Sequence, residues 1–504
     1  MEFLALLLIS FFVFAIVHLL VSNLVFKTQK SSTKLPPGPK PLPIIGNILQ
    51  LGTQPHQSLT KLSQTYGPIM TLKLGNITTI VISSPQLAKE VLHKNDLIST
   101  YRSVPDTLRA LDHNIYSVGW MQPSNEWRIL RKICATKVFS SQQLDSTQVL
   151  RQKKVREMID FIKERSVKGE ALDVGEIAFI TVLNFVSNSI FSMDLGDYNS
   201  SKSQEWKKNF CCITEEAGKP NVVDFFPIFR MLDPQGARAR MTKYFRELID
   251  FFDGLIEERL KSRSPKMETN QACKDVLDSV LQVMLEENSQ VSRLHVLHLF
   301  LVLLVAGVET TSITIEWAMA ELLKSAKKLE KVRNELQHVL GKDEQLEEKH
   351  IPKLPFLKAV VKETFRLHPP APFLVPHKSQ EDVKLCGFNV PKNAQIWVNV
   401  WAMGRDSSIW RNPNEFMPER FLESEIDFQG HDFELIPFGA GKRMCPGLPM
   451  AYRGVHILLG SLLHCFDWKL ANEEKEEDLD MSENFGITLR KAQSLQAIPI
   501  KLYK

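Results

Sequence analysis

Apolar residues along the chain fall mostly into helical patterns, and only a few short stretches alternate as β-strands do. From residue 85 onward the helical period dominates, interrupted at a few prolines. Residues 71–74 and 78–82, separated by a Gly-Asn pair, predict a β-hairpin. Further strands are predicted at residues 383–390, 395–400 and 497–502. The pattern therefore predicts a mainly α-helical protein with small β-sheets, an α+β fold.

The N-terminal segment predicts a membrane anchor. Residues 3–26 contain no Asp, Glu, Lys or Arg, and as a helix these 24 residues would extend about 36 Å, enough to cross the hydrocarbon core. A cleaved signal peptide is the alternative, but the basic residues that should precede its apolar run are missing. Lys27, Lys30 and Lys34 follow the run and favour a cytosolic position for the rest of the chain.

Residues 35–43 include five prolines, which favour a stiff, extended spacer over a helix. The predicted organisation is thus a transmembrane anchor at 1–26, a basic flank and proline-rich hinge at 27–44, and a large domain at 45–504. The anchor and the spacer together predict a single-pass membrane protein.

Composition excludes several classes of function. The net charge of +4 comes from 62 basic and 58 acidic residues, a balance that does not favour nucleic acid as a partner. Seven cysteines are scattered without a pairing pattern, which argues against a disulfide framework and favours a reducing compartment. The chain carries no dinucleotide-binding fingerprint or P-loop, so electrons for any redox reaction must come from another protein.

The stretch from Pro437 to Gly447 holds the strongest chemical signal. Its small residues leave room for the backbone to approach a large planar group. Pro446 predicts a helix start over an apolar run to residue 466, which would place Cys445 at a helix N-terminus. The helix dipole, Lys442 and Arg443 would then favour a thiolate. With no Cys or His nearby, this thiolate predicts an axial ligand of haem iron rather than a zinc site; a buried free cysteine is the alternative.

A complete motif gives this stretch a family resemblance. Phe438, Gly441, Arg443, Cys445 and Gly447 resemble, in identity and spacing, the haem-binding signature of the cytochromes P-450. The resemblance implies the cytochrome P-450 fold and haem b whose iron is ligated by Cys445. It also implies the use of O2 and of NADPH-derived electrons supplied by a reductase. The proline-rich hinge is similar to that of the microsomal members.

A long apolar helix predicted at residues 297–324 contains a polar cluster at 306–311. Glycine in the middle of a helix costs about 1 kcal/mol relative to alanine, and the neighbouring threonines can bond their own backbone. Taken alone, the segment is equally well explained as a kinked core helix that contains an acidic residue without a function. The resemblance implies that Thr310 and Glu309 are catalytic and deliver protons. It also implies that Ala306 and Gly307 lie over the haem iron.

An acid–base pair stands on the apolar helix that ends at residues 369–370. Glu363 and Arg366 lie three residues apart, and such a pair is usually a weak surface bridge. The surrounding apolar residues favour burial here. By resemblance to the ExxR and PERF motifs of the family, Arg420 completes a buried, structural ion network that supports the cysteine loop.

Four residues are candidates for the haem propionates. Trp127 and Arg131 stand on a helix with further basic residues, which alone predicts only a basic amphipathic helix. The resemblance implies that Trp127, Arg131 and Arg443 contact a propionate. His377 occupies a position where relatives often carry arginine for that purpose.

The resemblance also outlines an apolar substrate pocket. Its predicted lining residues are Leu301, Val302, Val305, Phe373, Leu374, Val375, Phe485 and Ile487. Each of these side chains is equally well explained as ordinary core. A pocket with few polar groups favours a terpenoid over a sugar or an amino acid.

Residues 218–227, 233–236, 433–441 and 485–489 resemble a subgroup of plant monooxygenases that includes geraniol 8-hydroxylase and, more distantly, ferruginol synthase. The resemblance implies a monooxygenase of the endoplasmic reticulum membrane that hydroxylates a small isoprenoid, with a monoterpene alcohol such as geraniol as the first candidate. A diterpene or phenolic hydroxylase of the same family is an alternative. Outside that activity, the alternatives are a reductase-independent haem-thiolate isomerase or dehydratase and a non-catalytic haem-binding membrane protein.

The predicted partners follow from this reading. They are NADPH–cytochrome P-450 reductase, an FAD/FMN flavoprotein, with cytochrome b5 as a further donor, membrane lipid and the terpenoid substrate. Excess Lys and Arg near the cysteine side of the haem predict a docking patch for an acidic electron donor.

Overall fold

The computed structural model describes residues 34–262, 275–341, 344–471 and 475–502. The predicted transmembrane anchor lies outside these residues. The described α-helices, in chain order, are α1 (Pro55–Tyr66), α2 (Pro85–Lys89), α3 (Asp96–Ser99), α4 (His113–Tyr116), α5 (Asn125–Ile133), α6 (Ser141–Ser146), α7 (Gln148–Lys168), α8 (Val174–Phe191), α9 (Ser201–Gly218), α10 (Val222–Phe225), α11 (Ala237–Ser262), α12 (Val276–Leu285), α13 (Arg293–Leu323), α14 (Ala326–Leu340), α15 (Pro355–Leu367), α16 (Val400–Met403) and α17 (Leu448–Cys465).

The described strands form small sheets, as the sequence predicts. They are β1 (Ile69–Leu74), β2 (Ile77–Ile82), β3 (Leu172–Asp173), β4 (His377–Lys378), β5 (Val383–Leu385), β6 (Phe388–Val390), β7 (Gln395–Val398), β8 (Phe466–Leu470), β9 (Glu483–Phe485), β10 (Leu489–Lys491) and β11 (Gln496–Lys501). The largest sheet has the order β1-β2-β7-β4, the next β3-β11-β8, and β5-β6 and β9-β10 are two-stranded. The prediction of a mainly helical fold with small sheets is confirmed.

The predicted hairpin is β1–β2, joined by Gly75 and Asn76. Gly75 has a φ of 55°, and a Cβ there would lie 2.7 Å from the Phe225 carbonyl oxygen, so the turn requires glycine. The Asn76 N–H donates to the same carbonyl at 2.9 Å. The hairpin turn is therefore fixed against the segment that follows α9.

Helix α13 crosses the interior and packs along α8. It begins four residues before the predicted start because the Ser292 hydroxyl accepts from the His295 N–H while the His295 ring accepts from the Ser292 N–H. Both helices are long and apolar enough to span a membrane. However, 89% of the most apolar 18-residue segment of α8 and 78% of the corresponding segment of α13 are buried within the protein. They are accordingly core helices.

Helix α17 begins at Leu448, where the predicted apolar run begins, and Pro446, predicted as the first helical residue, lies before it. Gly447 caps the helix, since its carbonyl accepts the N–H groups of Met450 and Ala451 at 3.1 and 2.9 Å. Cys445 therefore precedes the cap by two residues. The loop that carries it lies across a cavity from α13.

Candidate functional site

A cavity of about 380 Å³ lies between α13 on one side and the 437–447 loop with α17 on the other. Its size falls within the range of small-molecule and cofactor sites. Most of the predicted site residues line it, from segments far apart in the sequence: Arg131, Leu301, Val302, Val305, Ala306, Gly307, Thr310, Leu374, Val375, His377, Phe438, Arg443, Cys445, Gly447 and Ile487.

Two predicted pocket residues lie outside this lining. Phe373 stacks on Trp397 with ring centroids 5.1 Å apart, and Phe485 lies parallel to the His56 ring at 5.5 Å. Both pack in the core cluster beside the largest sheet. An apolar side chain in a core and one at a cavity wall have the same sequence signal, so only the structure separates them.

The cysteine loop is held by backbone contacts. The Cys445 N–H donates to the Phe438 carbonyl at 2.9 Å, and the Phe438 ring packs edge-on against Phe365 of α15. Gly441 has a φ of 68°, and a Cβ there would meet the Leu92 carbonyl oxygen at 2.2 Å. The close approach that requires this glycine is therefore to the 90–94 segment rather than to the cavity.

The side chain of Cys445 is exposed, but to the internal cavity. Burial raises the pKa of its thiol, while the N–H groups of Gly447 and Leu448 and the charge of Arg131 act to lower that pKa. The prediction that Lys442 and Arg443 favour the thiolate is wrong in its contacts. Lys442 pairs with Asp96 at 2.6 Å, and the Arg443 guanidinium donates to backbone carbonyls.

Three arginines line one edge of the cavity. Burial lowers the pKa of Arg102 well below its usual value, and repulsion from Arg443 and Arg131 adds to that effect. The pKa of Arg443 falls to about 9 for the same reasons. Within the described ranges no carboxylate forms an ion pair with any of the three, and Arg102 Nε is buried without a hydrogen-bond partner. The edge is therefore built for an anionic group that the chain itself does not supply.

Arg102 and His377 form a hydrogen bond with each other at this edge of the cavity. An Arg102 nitrogen lies 3.0 Å from His377 Nε2 and donates to the Val375 carbonyl at 2.6 Å. The sequence pattern does not single out Arg102, because one arginine in a polar loop has no periodic signal. Only its burial beside the other cations reveals it.

Trp127 lies behind this edge rather than in the cavity lining. The Arg443 guanidinium stacks over its ring at 4.2 Å, and its indole N–H donates to the Val118 carbonyl at 3.2 Å. In this geometry Trp127 supports Arg443. Its predicted contact with a propionate stays a prediction.

The middle of α13 faces the cavity with small residues. Ala306 is exposed to the cavity and Gly307 is half-buried. The Thr310 hydroxyl donates to the Ala306 carbonyl at 2.6 Å, and the Thr311 hydroxyl donates to the Gly307 carbonyl at 2.8 Å. Thr310 thus places a hydroxyl at the cavity wall directly beside the two small residues.

Glu309 points away from Thr310 and is fully buried. One carboxyl oxygen accepts from the hydroxyls of Thr214 at 2.8 Å and Thr488 at 3.0 Å, and both threonines line the cavity. The other oxygen is buried without a partner among the described residues. Burial raises the pKa of this carboxyl to about 7, against the lowering effect of the two hydroxyls. No hydrogen bond joins Glu309 to Thr310 in the described chain, so the two connect only through the cavity.

The predicted ion pair forms a buried network. Arg366 donates to both carboxyl oxygens of Glu363, at 2.7 and 2.8 Å, and Arg420 donates to one of them at 3.1 Å. The Met417 N–H also donates to Glu363, and Arg366 donates to the carbonyls of Gly404, Pro413 and Glu415. The network joins α15 to the 404–420 segment.

The donor set at the cavity fits a haem. One thiol faces small residues across the cavity, as an axial ligand opposite a site for a small molecule requires. The unpaired cationic edge fits the carboxylates that such a group carries. Cys445 would hold the iron, and Arg102, Arg131, Arg443 and His377 would hold the carboxylates.

Comparison with known proteins agrees with this fit. The cytochrome P-450 family model matches residues 36–495. Geraniol 8-hydroxylase of Catharanthus roseus is 51% identical over 474 residues, which cover 94% of this chain and 95% of that protein. Geraniol 8-hydroxylase of Swertia mussotii is 49% identical with the same coverage, and cytochrome P-450 76T24 of Catharanthus roseus is 48% identical over 98% of both chains.

Proposed function

The chain belongs to the cytochrome P-450 family, and we propose that it hydroxylates a small apolar isoprenoid, specifically a monoterpene alcohol such as geraniol. It is a haem-thiolate monooxygenase that uses O2 and electrons supplied by a reductase. The observation that carries the substrate proposal is the cavity wall opposite Cys445, which is largely apolar and includes Leu301, Val302 and Val305 of α13. The names of two similar proteins, both geraniol 8-hydroxylases, support the same class.

The haem, when bound, activates O2 and inserts one oxygen atom into a C–H bond of the substrate. The chain's own residues hold the group, exclude water and move protons. Cys445 would supply the thiolate ligand, and Arg102, Arg131, Arg443 and His377 would anchor the carboxylates of the group. The apolar walls keep the substrate beside Ala306 and Gly307, where small side chains leave room for O2.

We assign proton delivery to Glu309 and Thr310 acting from two sides of the cavity. A carboxyl with a pKa of about 7 both gives and takes a proton near neutral pH. Thr214 and Thr488 bond this carboxyl and also line the cavity, so their hydroxyls are positioned to pass the proton inward. The Thr310 hydroxyl, beside Ala306, then orients it at the site of O2.

Replacing Thr310 by alanine is expected to uncouple electron use from product formation. The hydroxyl beside Ala306 is lost, whereas neither the ligand Cys445 nor the apolar wall changes. Haem content and the substrate-induced spectral shift should stay near the wild-type values. Product formation should fall about 100-fold, the low end for one proton-transfer group, and NADPH should be consumed with release of hydrogen peroxide. Product and peroxide per NADPH are the measurements.

Glu309→Gln provides the second arm of this test, because it keeps the acceptor for Thr214 and Thr488 but cannot exchange the proton. The wild-type rate should show an inflection near pH 7 that the glutamine variant lacks. Unchanged coupling in the Thr310 variant, together with an unchanged pH profile in the Glu309 variant, would show that both are only residues of a core helix.

We further propose that the protein is anchored in the endoplasmic reticulum membrane by residues 1–26 and lies against it on one face. Ile228, Met231 and Leu232 are 76%, 90% and 72% exposed, and Leu49 is 70% exposed. The β1–β2 turn brings these two regions together, because its Gly75 N–H donates to the Ile45 carbonyl and its Asn76 N–H donates to the Phe225 carbonyl. The apolar surface thus adjoins the end of the chain that leads to the predicted anchor.

Deleting residues 1–26 is expected to release a large part of the protein from membranes while haem binding stays intact. The exposed apolar surface should keep the rest of the protein on the membrane, and high salt should not remove this bound fraction. Fractionation followed by the haem spectrum measures both properties. Secretion of a shortened product from the full-length chain would instead show a cleaved signal peptide.

The partner proposal rests on charge near the cysteine side. Arg128 and Lys442 are exposed there, the latter in an ion pair with the exposed Asp96, on the two segments joined by the stacking of Arg443 on Trp127. An acidic flavoprotein, the NADPH–cytochrome P-450 reductase, is the proposed partner on this surface, with cytochrome b5 as a second donor.

A further inference from the structure

A pair of buried histidines stands at the wall of the cavity, on the substrate side. The Nδ1 atoms of His113 and His298 are 2.8 Å apart, and each side chain is 1% exposed. His113 belongs to α4 and lines the cavity, whereas His298 belongs to α13. Phe245 packs on His113 with ring centroids 4.7 Å apart, and Tyr116 stacks on His298 at 5.7 Å. The two rings are therefore fixed.

The hydrogen bonds decide which ring nitrogens carry protons. Burial lowers the pKa of His113 well below its usual value and that of His298 to about 4, so both rings are neutral at neutral pH. The Leu111 backbone raises the pKa of His298 as a hydrogen-bond acceptor does, which is the effect of a carbonyl near the other ring nitrogen. In the tautomer that directs the single proton of His298 at Leu111, His113 donates the proton of the shared bond. This leaves His113 Nε2 as a bare acceptor.

The free nitrogen faces cavity space. No hydrogen bond to His113 Nε2 forms among the described residues, and the side chain lines the cavity although only 1% of it is exposed. Its neighbours in that wall are apolar, among them Phe245, Leu301 and Val302. An unsatisfied acceptor in an apolar wall is unfavourable unless a ligand donates to it.

We propose that His113 Nε2 accepts a hydrogen bond from the hydroxyl group of the substrate, so that the site selects an alcohol over the corresponding hydrocarbon. His298 is then a positioning residue that fixes the tautomer. This inference rests on the proposed function, since it names the group by which the substrate of that same site is recognised.

The position of the pair also predicts which end of the substrate is oxidised. His298 stands eight residues before Ala306 on α13, which corresponds to about 12 Å along the helix axis. An extended chain gains roughly 1.2 Å per bond, so an acyclic ten-carbon alcohol reaches roughly 10 Å from its oxygen to its far end. A hydroxyl held at His113 therefore places the opposite end of the molecule beside Ala306 and Thr310.

The test compares three ligands of one skeleton on purified holoprotein. The ligands are geraniol, its methyl ether and the hydrocarbon with hydrogen in place of the hydroxyl, and the readout is the dissociation constant from the substrate-induced spectral shift. The wild type should bind geraniol about tenfold more tightly than either analogue, which equals about 1.4 kcal/mol. The ether matters because it keeps the oxygen but cannot donate.

His113→Phe should remove this preference and leave the hydrocarbon affinity within about twofold, because the ring volume is kept but the acceptor is lost. His113→Gln places a carbonyl oxygen near the former Nε2 and should restore much of the preference. Val302→Ala is the matched control in the same wall, and it should change all three affinities by a common factor.

Equal binding of the three ligands by the wild type, or an undiminished preference in His113→Phe, would overturn the proposal and leave the pair as a packing contact. If His113→Phe yields no holoprotein, the wild-type series and His113→Gln decide. Other outcomes of the same experiments would refute the proposed function without refuting the alcohol site. A tenfold preference without reductase-dependent product would refute the hydroxylase and keep the alcohol site, and product formed without any preference would do the reverse.

Discussion

Cys445→Ser is expected to abolish the thiolate signature of the haem and with it all monooxygenase turnover. The Cys445 thiol is the cysteine sulfur in the cavity lining, and the hydroxyl of serine is a poor ligand for haem iron. The cationic edge formed by Arg102, Arg131 and Arg443 remains in the variant, so some haem should still associate. The carbon monoxide difference spectrum of the reduced protein should lose the thiolate-type Soret band, and product should fall to background.

Cys386→Ser is the matched control for this result. Cys386 is exposed, contacts Glu90 and does not belong to the cavity lining, so its substitution should change neither spectrum nor turnover. A thiolate-type band that persists in Cys445→Ser would show that another cysteine ligates the iron. The assignment of the whole cavity would then be wrong.

Glu363→Ala is expected to give the largest loss of stability. The carboxylate is fully buried and accepts hydrogen bonds from Arg366, Arg420 and the Met417 N–H. Its removal leaves two buried guanidinium groups without their anion, which costs about 3–5 kcal/mol in the free energy of unfolding. Since domains are stable by only about 5–15 kcal/mol, holoprotein yield should fall steeply. The urea midpoint followed by the Soret band is the measurement.

Glu164→Ala on α7 is the control, because Glu164 pairs with Lys168 at 3.1 Å but is 63% exposed. An exposed pair of this kind contributes at most about 1 kcal/mol. If both substitutions lower the midpoint equally, the buried network does not hold the 404–420 segment against α15.

The pattern of hydrophobic residues predicts a helix or strand well where the pattern is strong within that element itself. The alternation in β1 and the apolar runs of β2 and α13 are strong local signals, and the structure contains all three elements. The start of α17 is predicted two residues too early because Pro446 imitates a first helical residue, whereas the hydrogen bonds begin at the Gly447 carbonyl. Local signals of this kind locate an element better than its ends.

Site residues are predictable only where a motif fixes their spacing. Cys445 and the Glu363–Arg366 pair have such motifs, but Arg102 and the His113–His298 pair acquire their meaning from burial and from neighbours distant in sequence. The direction of the Glu309 side chain depends on Thr214 and Thr488 in the same way. Long-range contacts, which a single sequence does not display, account for what the patterns miss.

The chain is expected to transfer one oxygen atom from O2 to a terpenoid alcohol in the cavity beside Cys445. Membranes that contain the full-length protein and NADPH–cytochrome P-450 reductase should be supplied with geraniol under isotopically labelled O2, with the product identified by mass spectrometry. We expect a hydroxylated product that carries one labelled oxygen atom and forms only with both NADPH and the reductase. A product that forms without O2 or the reductase, or whose new oxygen comes from water, would contradict this expectation.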